Sequence, residues 1–459
     1  MKEFFKKIGT SIKHFFVPYE ESEAGIVLLY RKDATKSILS SLISIGIGLL
    51  VGLIIMLLVA GLSKTESGEV DITRAFRGLG YLLKGCFSST RQTRRLADTG
   101  NTIFYAVPLI FTGLSVGIAF KTGLFNIGAP GQFIMGTIGS LLVALYIKTT
   151  TRFGGVMVWI LALVVGMAFG MIWGVIPGIL KAFFNINEVI ICIMTNWIAA
   201  NIATWTFENC TSIISKENTK SAYLMKTVES GNFSPSLGLD KLFPNSYVDI
   251  GIIIAIIIAI VVFIILNKTT FGFELKSCGS NRNAARYAGL NEKRNIILSM
   301  VIAGGLAGIG ASLYYLNKGI EYNYLSQYSG LPAYGFDGIA SAFLANCNPI
   351  GIIFTSLFIK YINAGGEYLA NRNVAFSRYI ADIITAAIVY VAGFSRIIRE
   401  VILKNRNSKE KKIPDHVITS KGGNSHEWVS INFTKDDYLC YSFTNCCFGW
   451  MYRWKKWCY

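Results

Sequence analysis

From residue 37 onward, long apolar runs alternate with polar interruptions. The first run, Ser37 to Leu62, carries no charge at all. Further runs cover 101–120, 131–147, 155–178, 188–208, 247–266, 295–316, 335–346, 349–369 and 378–398. A helix needs roughly 20 apolar residues to cross a hydrocarbon core, so the pattern predicts an all-α, polytopic transmembrane helical bundle of about ten spans, some broken or re-entrant. Polar stretches at 63–100, with Arg91, Arg94 and Arg95, and at 209–246, with Pro235 and Pro244, read as external loops. An even span number puts both termini on one side. The basic arm 1–36, the charged segment 267–294 and the basic run from Arg396 to Lys412 then share one face. Lys and Arg gather in cytoplasmic loops, which makes that face the inside. The expected layout is a basic arm (1–36), a permeation domain (37–400) and a polar, aromatic, cysteine-rich tail (413–459). The arm is read either as an amphipathic helix on the inner leaflet or as a solvated tether. It has no short apolar core with a cleavage site, so it does not read as a secretory signal peptide. The tail reads as an appendage or a read-through extension.

Two interruptions fall inside the apolar block and are rich in glycine and proline. One is Phe120–Gln132 (FKTGLFNIGAPGQ), with Phe125, Asn126, Gly128, Pro130 and Gln132. The other is Leu331–Ala342 (LPAYGFDGIASA), with Tyr334, Phe336 and Asp337. Irregular backbone at membrane depth survives only where protein buries it or where it lines a cavity, and such breaks often frame a transporter's midplane site. Each has two readings: a tight turn, or part of a solute pathway through Phe125, Asn126, Gly128, Gln132, Tyr334, Phe336 and Asp337. Asp337 either caps the half-helix through free N–H groups or marks a cavity. Gly166, Gly170, Gly174 and Gly178 recur every fourth residue and predict one helix face packed closely on a neighbour. In 267–294, Ala284, Ala285, Tyr287 and Ala288 among Arg282 and Arg286 predict a short helix ended by Gly289. It is either a docking helix for a partner or an ordinary basic loop.

Composition sharpens the class. Hydrophobic residues make up 52% and charged residues 15% of 459, and the mean hydropathy is +0.47. A soluble domain carries about 25% charge, so an ordinary soluble enzyme and a disordered chain are excluded. The net charge of +17 fits inner-face loops against anionic membrane lipid rather than nucleic acid. The nine cysteines include no C-x-x-C pair, and His14, His416 and His426 lie outside the apolar runs. Neither a disulfide framework nor a metal site is expected. No phosphate-binding G-x-x-x-x-G-K-[ST] run, H-E-x-x-H or G-x-S-x-G occurs. The acids Glu188, Asp249, Glu367 and Asp382 sit near span ends, unlike the deeper groups of ion-coupled carriers. No catalytic residues are expected. Energy comes from elsewhere, or the protein is a passive pore.

GLFNIGAPGQ at 123–132 resembles the GLFNIG-x-x-GQ signature of permease subunits from ATP-binding-cassette (ABC) importers of the ribose/branched-chain amino acid superfamily. The similarity is greatest to the branch served by basic-membrane-protein-type nucleoside receptors. FGFELKSCGSNRNAARYAGL at 271–290, YGFDGIA at 334–340, NPIG at 348–351 and KAFFNINEVI at 181–190 follow in the family's order. The chain departs at Asn283, where the importer motif has Glu, and at Pro130. The resemblance implies a nucleoside importer permease of the bacterial cell membrane, or one for ribose or another simple sugar. The remaining alternative is a stand-alone carrier or channel. It implies no cofactor in this chain, with ATP on a partner subunit. It also implies a second homologous permease, a cytoplasmic ABC ATPase and a lipid-anchored substrate-binding protein outside. Phe271, Gly272, Glu274, Ala284, Ala285, Arg286 and Gly289 would couple to the ATPase.

Overall fold

A computed structural model describes residues 33–62, 72–147, 149, 151–210, 214–215, 220–221, 235–317, 320, 322, 331–370 and 379–393. The basic arm before residue 33, the run after Arg396 and the tail 413–459 lie outside them. The chain divides into two units, Met1–Asn405 and Arg406–Tyr459, and every described residue belongs to the first.

The helices are α1 (Asp33–Leu62), α2 (Thr73–Lys84), α3 (Gln92–Lys121), α4 (Ala129–Tyr146), α5 (Arg152–Phe184) and α6 (Glu188–Asn209). After them come α7 (Leu239–Leu242), α8 (Gly251–Lys268), α9 (Thr270–Ser280), α10 (Arg282–Tyr287), α11 (Glu292–Tyr315), α12 (Ala333–Leu344), α13 (Pro349–Ala370) and α14 (Tyr379–Gly393). A two-residue antiparallel ladder, β1 (Ile214–Ser215) and β2 (Lys220–Ser221), pairs Ile214 with Ser221. Seven helices are long and apolar enough to cross a membrane among the described residues: α1, α3, α4, α5, α6, α8 and α11. The chain is therefore the all-α polytopic bundle its hydropathy predicts. With twelve residues, α12 is about 18 Å long at 1.5 Å per residue and reaches only part of the way through a ~30 Å layer. It is one of the broken helices.

The stretch read from sequence as a polar loop, 63–100, contains structure of its own. In α2, Ala75, Gly78 and Leu82 are buried, a helical spacing that seats the helix on α13, where Gly365 approaches the backbone of Leu82. The run of α3 begins at Gln92, earlier than the apolar pattern marks, because Arg94, Arg95 and Asp98 occupy its first turns. Polar residues can extend a helix beyond the apolar layer without ending it.

Burial separates a centre from a periphery. The most apolar windows of α3, α4 and α11 are 83%, 78% and 78% buried within the chain, against 22%, 28% and 33% for α1, α8 and α5. The exposed side of α1 (Leu42, Leu50, Ile54, Leu58) is what a lipid-facing helix presents. A second cluster gathers Met56, Leu82, Leu344, Ile362, Ile384 and Ile388 from α1, α2, α12, α13 and α14.

The glycine stripe finds its partner in α11, and the α5–α11 contact is the most extensive among the described helices. A β-carbon on Gly170 would strike the Gly304 carbonyl, one on Gly174 the Met300 carbonyl, and one on Gly308 the Gly166 carbonyl. Gly136 of α4 reaches Gly308 as well, so three backbones converge there. Apolar side chains gain nothing by leaving lipid for one another, so close backbone approach is what holds such helices together. Gly170→Leu or Gly304→Val should overpack this crossing and cost about 1–3 kcal/mol or more. The expected readout is a lower thermal midpoint in detergent, with Gly46→Ala, which has nothing within 4 Å of its added carbon, unchanged.

Candidate functional site

The first break is a turn, 122–128, between two buried helices. Helix α3 ends in a Schellman motif: Leu124 N–H donates to the Ala119 carbonyl and Gly123 N–H to that of Phe120, both at 3.0 Å. Gly123 sits at φ +74°, left-handed backbone that suits glycine. Inside the turn, Asn126 is fully buried. Its Nδ2 donates to Gln132 Oε1 (2.9 Å) and Ser115 Oγ (3.1 Å), and its Oδ1 accepts from Gly128 N–H (3.1 Å). Helix α4 then starts with no side-chain cap of its own. Asn196 of α6 supplies one from a distance: its Oδ1 accepts from Gly131 N–H at 2.8 Å, and its Nδ2 donates to the Ile127 carbonyl at 2.9 Å. Pro130 falls in the first turn of α4, where the N–H it lacks would have no intrahelical partner.

The second break packs directly on the first. Gly335 of α12 lies against the Pro130 ring and backbone, and Gly338 against Thr112 of α3. Thr112 Oγ1 donates to the Tyr334 carbonyl at 2.9 Å. One turn further along α12, Ser341 Oγ lies 2.7 Å from Ser356 Oγ and 2.8 Å from Thr355 Oγ1 of α13. Asp337 does not cap the half-helix. The N-cap position belongs to Pro332, which offers no side-chain bond. Asp337 instead lies in the body of α12 and pairs through Oδ2 with Lys360 Nζ of α13 at 3.2 Å. The same ammonium lies 4.9 Å from the centre of the Tyr334 ring. Tyr334 donates to the Tyr314 hydroxyl at 3.0 Å, and its ring lies 6.1 Å from that of Phe133. Phe125 is half-buried with its ring 5.8 Å from Phe343, while Phe336 is exposed.

The polar segment after α8 forms two short helices. Asn281 caps α10 by accepting from Ala284 N–H at 3.1 Å. A Schellman motif ends it, with Leu290 N–H on the Ala285 carbonyl and Gly289 at φ +81°. Gly272, Leu275, Cys278 and Ala285 are buried. Phe271 is half-buried, and Glu274 accepts from Asn295 Nδ2 at 3.1 Å. The outward surface consists of Asn283, Ala284, Arg286, Tyr287, Ala288 and Gly289, with Tyr287 93% exposed. This segment touches the first break. A β-carbon on Gly279 would strike the Lys121 carbonyl, and Arg282 Nη2 donates to the Gly123 carbonyl at 3.4 Å.

The structure thus brings three sequence-predicted segments into one contiguous assembly: 122–132, 331–342 and 270–290. Asn126 and Gln132 bond each other inside it, while Phe336 and Asp337 reach the surface. The glycine stripe lies apart, on the α5–α11 crossing. Sequence reasoning left out Ser115, Thr112, Tyr314, Asn196 and Lys360 as members. Lys360 had a signal, being a lone cation within an apolar run; the others look like ordinary span residues.

Residues 99–393, from within α3 to the end of α14, match the family model described as "Branched-chain amino acid transport system / permease component". The nucleoside ABC transporter permease protein NupB of Lactococcus lactis is 35% identical over 71% of this chain and 85% of its own length. The guanosine ABC transporter permease protein NupP of Bacillus subtilis is 32% identical over 66% of this chain and 83% of its own. The glucose ABC transporter permease protein TsgB13 of Haloferax volcanii is 26% identical over 62% and 73%. No solved structure matches the chain.

Asn196→Ala should orphan the Gly131 N–H and the Ile127 carbonyl together, at about 1–3 kcal/mol for each buried group left unpaired. A drop in the thermal midpoint of the purified protein checks this. Asn201→Ala on the same helix removes only a bond to its own helix at an exposed site and should leave the midpoint near the parent value.

Proposed function

The chain belongs to the permease-component family of branched-chain amino acid transport systems, and we propose that it is the membrane-spanning subunit of an ABC importer that carries nucleosides inward. The observation that carries the solute class is the similarity, over most of both chains, to NupB and NupP, whose names specify nucleoside and guanosine. The weaker similarity to a glucose permease favours a simple sugar as the second reading. A sugar ring that bears hydroxyl groups is common to both classes.

In this reading a second homologous permease completes the pathway, a cytoplasmic ABC ATPase binds and hydrolyses ATP, and a lipid-anchored receptor delivers solute from outside. Both termini and α9–α10 lie on the inner side of the bacterial cell membrane. The exposed rim of α10, from Asn283 to Gly289, seats on the ATPase, with Tyr287 as an apolar anchor next to Arg286. Asn283 in place of an acid leaves that anchor without a fixed ion pair at its N-terminal end.

The mechanical route follows from contacts already described. A push on α10 reaches Gly279 and Arg282, which bear on the carbonyls of Lys121 and Gly123. Asn126 and Asn196 hold the turn 122–128 rigid against α3, α4 and α6, so the displacement is not absorbed locally. Pro130 then bears on Gly335 and moves the half-helix α12. Phe125, Gly128, Tyr334, Phe336 and Asp337 border this junction, and the solute passes along it. Asn126 and Gln132 act there by fixing the backbone.

Uptake of labelled guanosine, uridine and ribose into cells lacking this chain, and into the same cells complemented, tests the solute. Loss of nucleoside uptake is expected, and loss of ribose uptake alone would refute the nucleoside assignment. Arg286→Glu and Tyr287→Glu should each reduce uptake at least tenfold with normal membrane levels, while ATPase activity loses its dependence on loaded receptor. Unchanged uptake in both would remove α10 from the coupling role.

A further inference from the structure

The Asp337–Lys360 pair is more than packing requires. Lys360 stands midway along α13, and Asp337 is in the body of α12. An ionised side chain at the centre of a span costs about 2.5–3.5 kcal/mol on insertion scales, and an apolar pair of similar size is usually at least as stable as a buried ion pair. The α12–α13 contact already has the Ser341–Ser356 and Ser341–Thr355 bonds, and α12 is seated on α3 and α4 through Gly335 and Gly338. The charges therefore answer another need.

Exposure indicates where that need lies. Lys360 is 12% exposed and Asp337 34%, so the pair opens on the carboxylate side. The buried face of α12 carries Gly335, Gly338, Ser341 and Ala342. The open face carries Ala333, Phe336 and Asp337, spaced as i, i+3 and i+4. A half-exposed carboxylate turned to lipid is strongly disfavoured, so this face borders water or the second subunit across the pathway. Lys360 takes up Oδ2 alone, and Oδ1 accepts from no described residue. An ionised carboxylate offers about four lone-pair sites, and the Phe336 ring lies one residue away. A carboxylate with spare acceptors beside an open aromatic face suits a ring-bearing solute with neighbouring hydroxyl groups.

We infer that Asp337, held in place by Lys360 and flanked by Phe336, is a contact station for the hydroxyls of a ribosyl or sugar ring during translocation. Lys360 is the positioning residue. Braced over the Tyr334 ring, it fixes the direction of the carboxylate. The inference rests on the importer reading but not on the nucleobase, because only hydroxyls are recognised here.

The test uses the complete importer, with its ATPase, receptor and second permease, in liposomes. Asp337→Asn preserves shape and removes the charge. It should lower import of ribonucleoside at least tenfold while receptor-stimulated ATP hydrolysis persists. The double variant Asp337→Asn with Lys360→Gln is decisive, since it leaves no unpaired charge. It should remain at least tenfold down, and recovery to near the parent rate would show a purely structural pair and overturn the inference. In a second arm, Phe336→Cys is treated with a water-soluble, membrane-impermeant thiol reagent against the parent protein as background. Labelling slowed by ribonucleoside and not by free nucleobase is expected, and no labelling in any nucleotide state would overturn the placement. If the unaltered importer carries another hydroxylated solute and no nucleoside, the nucleoside assignment fails while this station stands. Full import by the double variant has the converse effect.

Discussion

A helix end buried among other helices leaves N–H and C=O groups that no water can satisfy, and this protein ends α3 and begins α4 in such a place. Everything at its centre follows from how those groups are met. Schellman closures at Gly123 and Asn346 satisfy carbonyls at the ends of α3 and α12 within the chain's own backbone. At the start of α4, where the local sequence offers only Gly128, Ala129 and Pro130, a distant asparagine on α6 supplies both an acceptor and a donor. Remove that cross-helix cap and the break becomes a defect rather than a device.

The same economy explains why the breaks are small and rigid. Asn126 has its amide committed to Gln132, Ser115 and the Gly128 N–H, so the turn holds one conformation. Glycines then admit backbones on both sides: Gly279 from α9 and Gly335 from the half-helix. Backbone-to-backbone contact transmits displacement better than long side chains, which absorb it by changing rotamer. The α9–α10 segment, the turn and the half-helix are in direct contact and form a continuous path through the described residues. The helices around them are held by another glycine contact, between α5 and α11, where side chains would keep the backbones apart.

The half-helix carries a charge pair into this interior. Asp337 faces Lys360 across two adjacent helices, and the ammonium also lies over an aromatic ring. Such pairing offsets part of the cost of placing charged groups among apolar helices. The half-helix α12 is buried along Gly335, Gly338 and Ser341 and open along Ala333 and Phe336.

What the sequence alone determined was everything that depends on local order along the chain. Apolar run length set the membrane class and most of the spans. Glycine and proline marked both breaks, and the pattern around Ala284 and Ala285 marked the short helix that Gly289 ends. The motifs in their order carried the family. The helix α2 escaped because its amphipathic face is short and its surroundings polar. The tertiary structure decided what meets what: that the two breaks press on each other, that Asn196 completes α4, that Gly304 and Gly308 receive the glycine stripe, and that Lys360 holds Asp337. Those partners are separated by 23 to more than 200 positions and leave no periodic trace. Hydropathy is a property of neighbours in sequence, whereas closing an exposed N–H or pairing a carboxylate at depth depends on which helices the fold brings side by side.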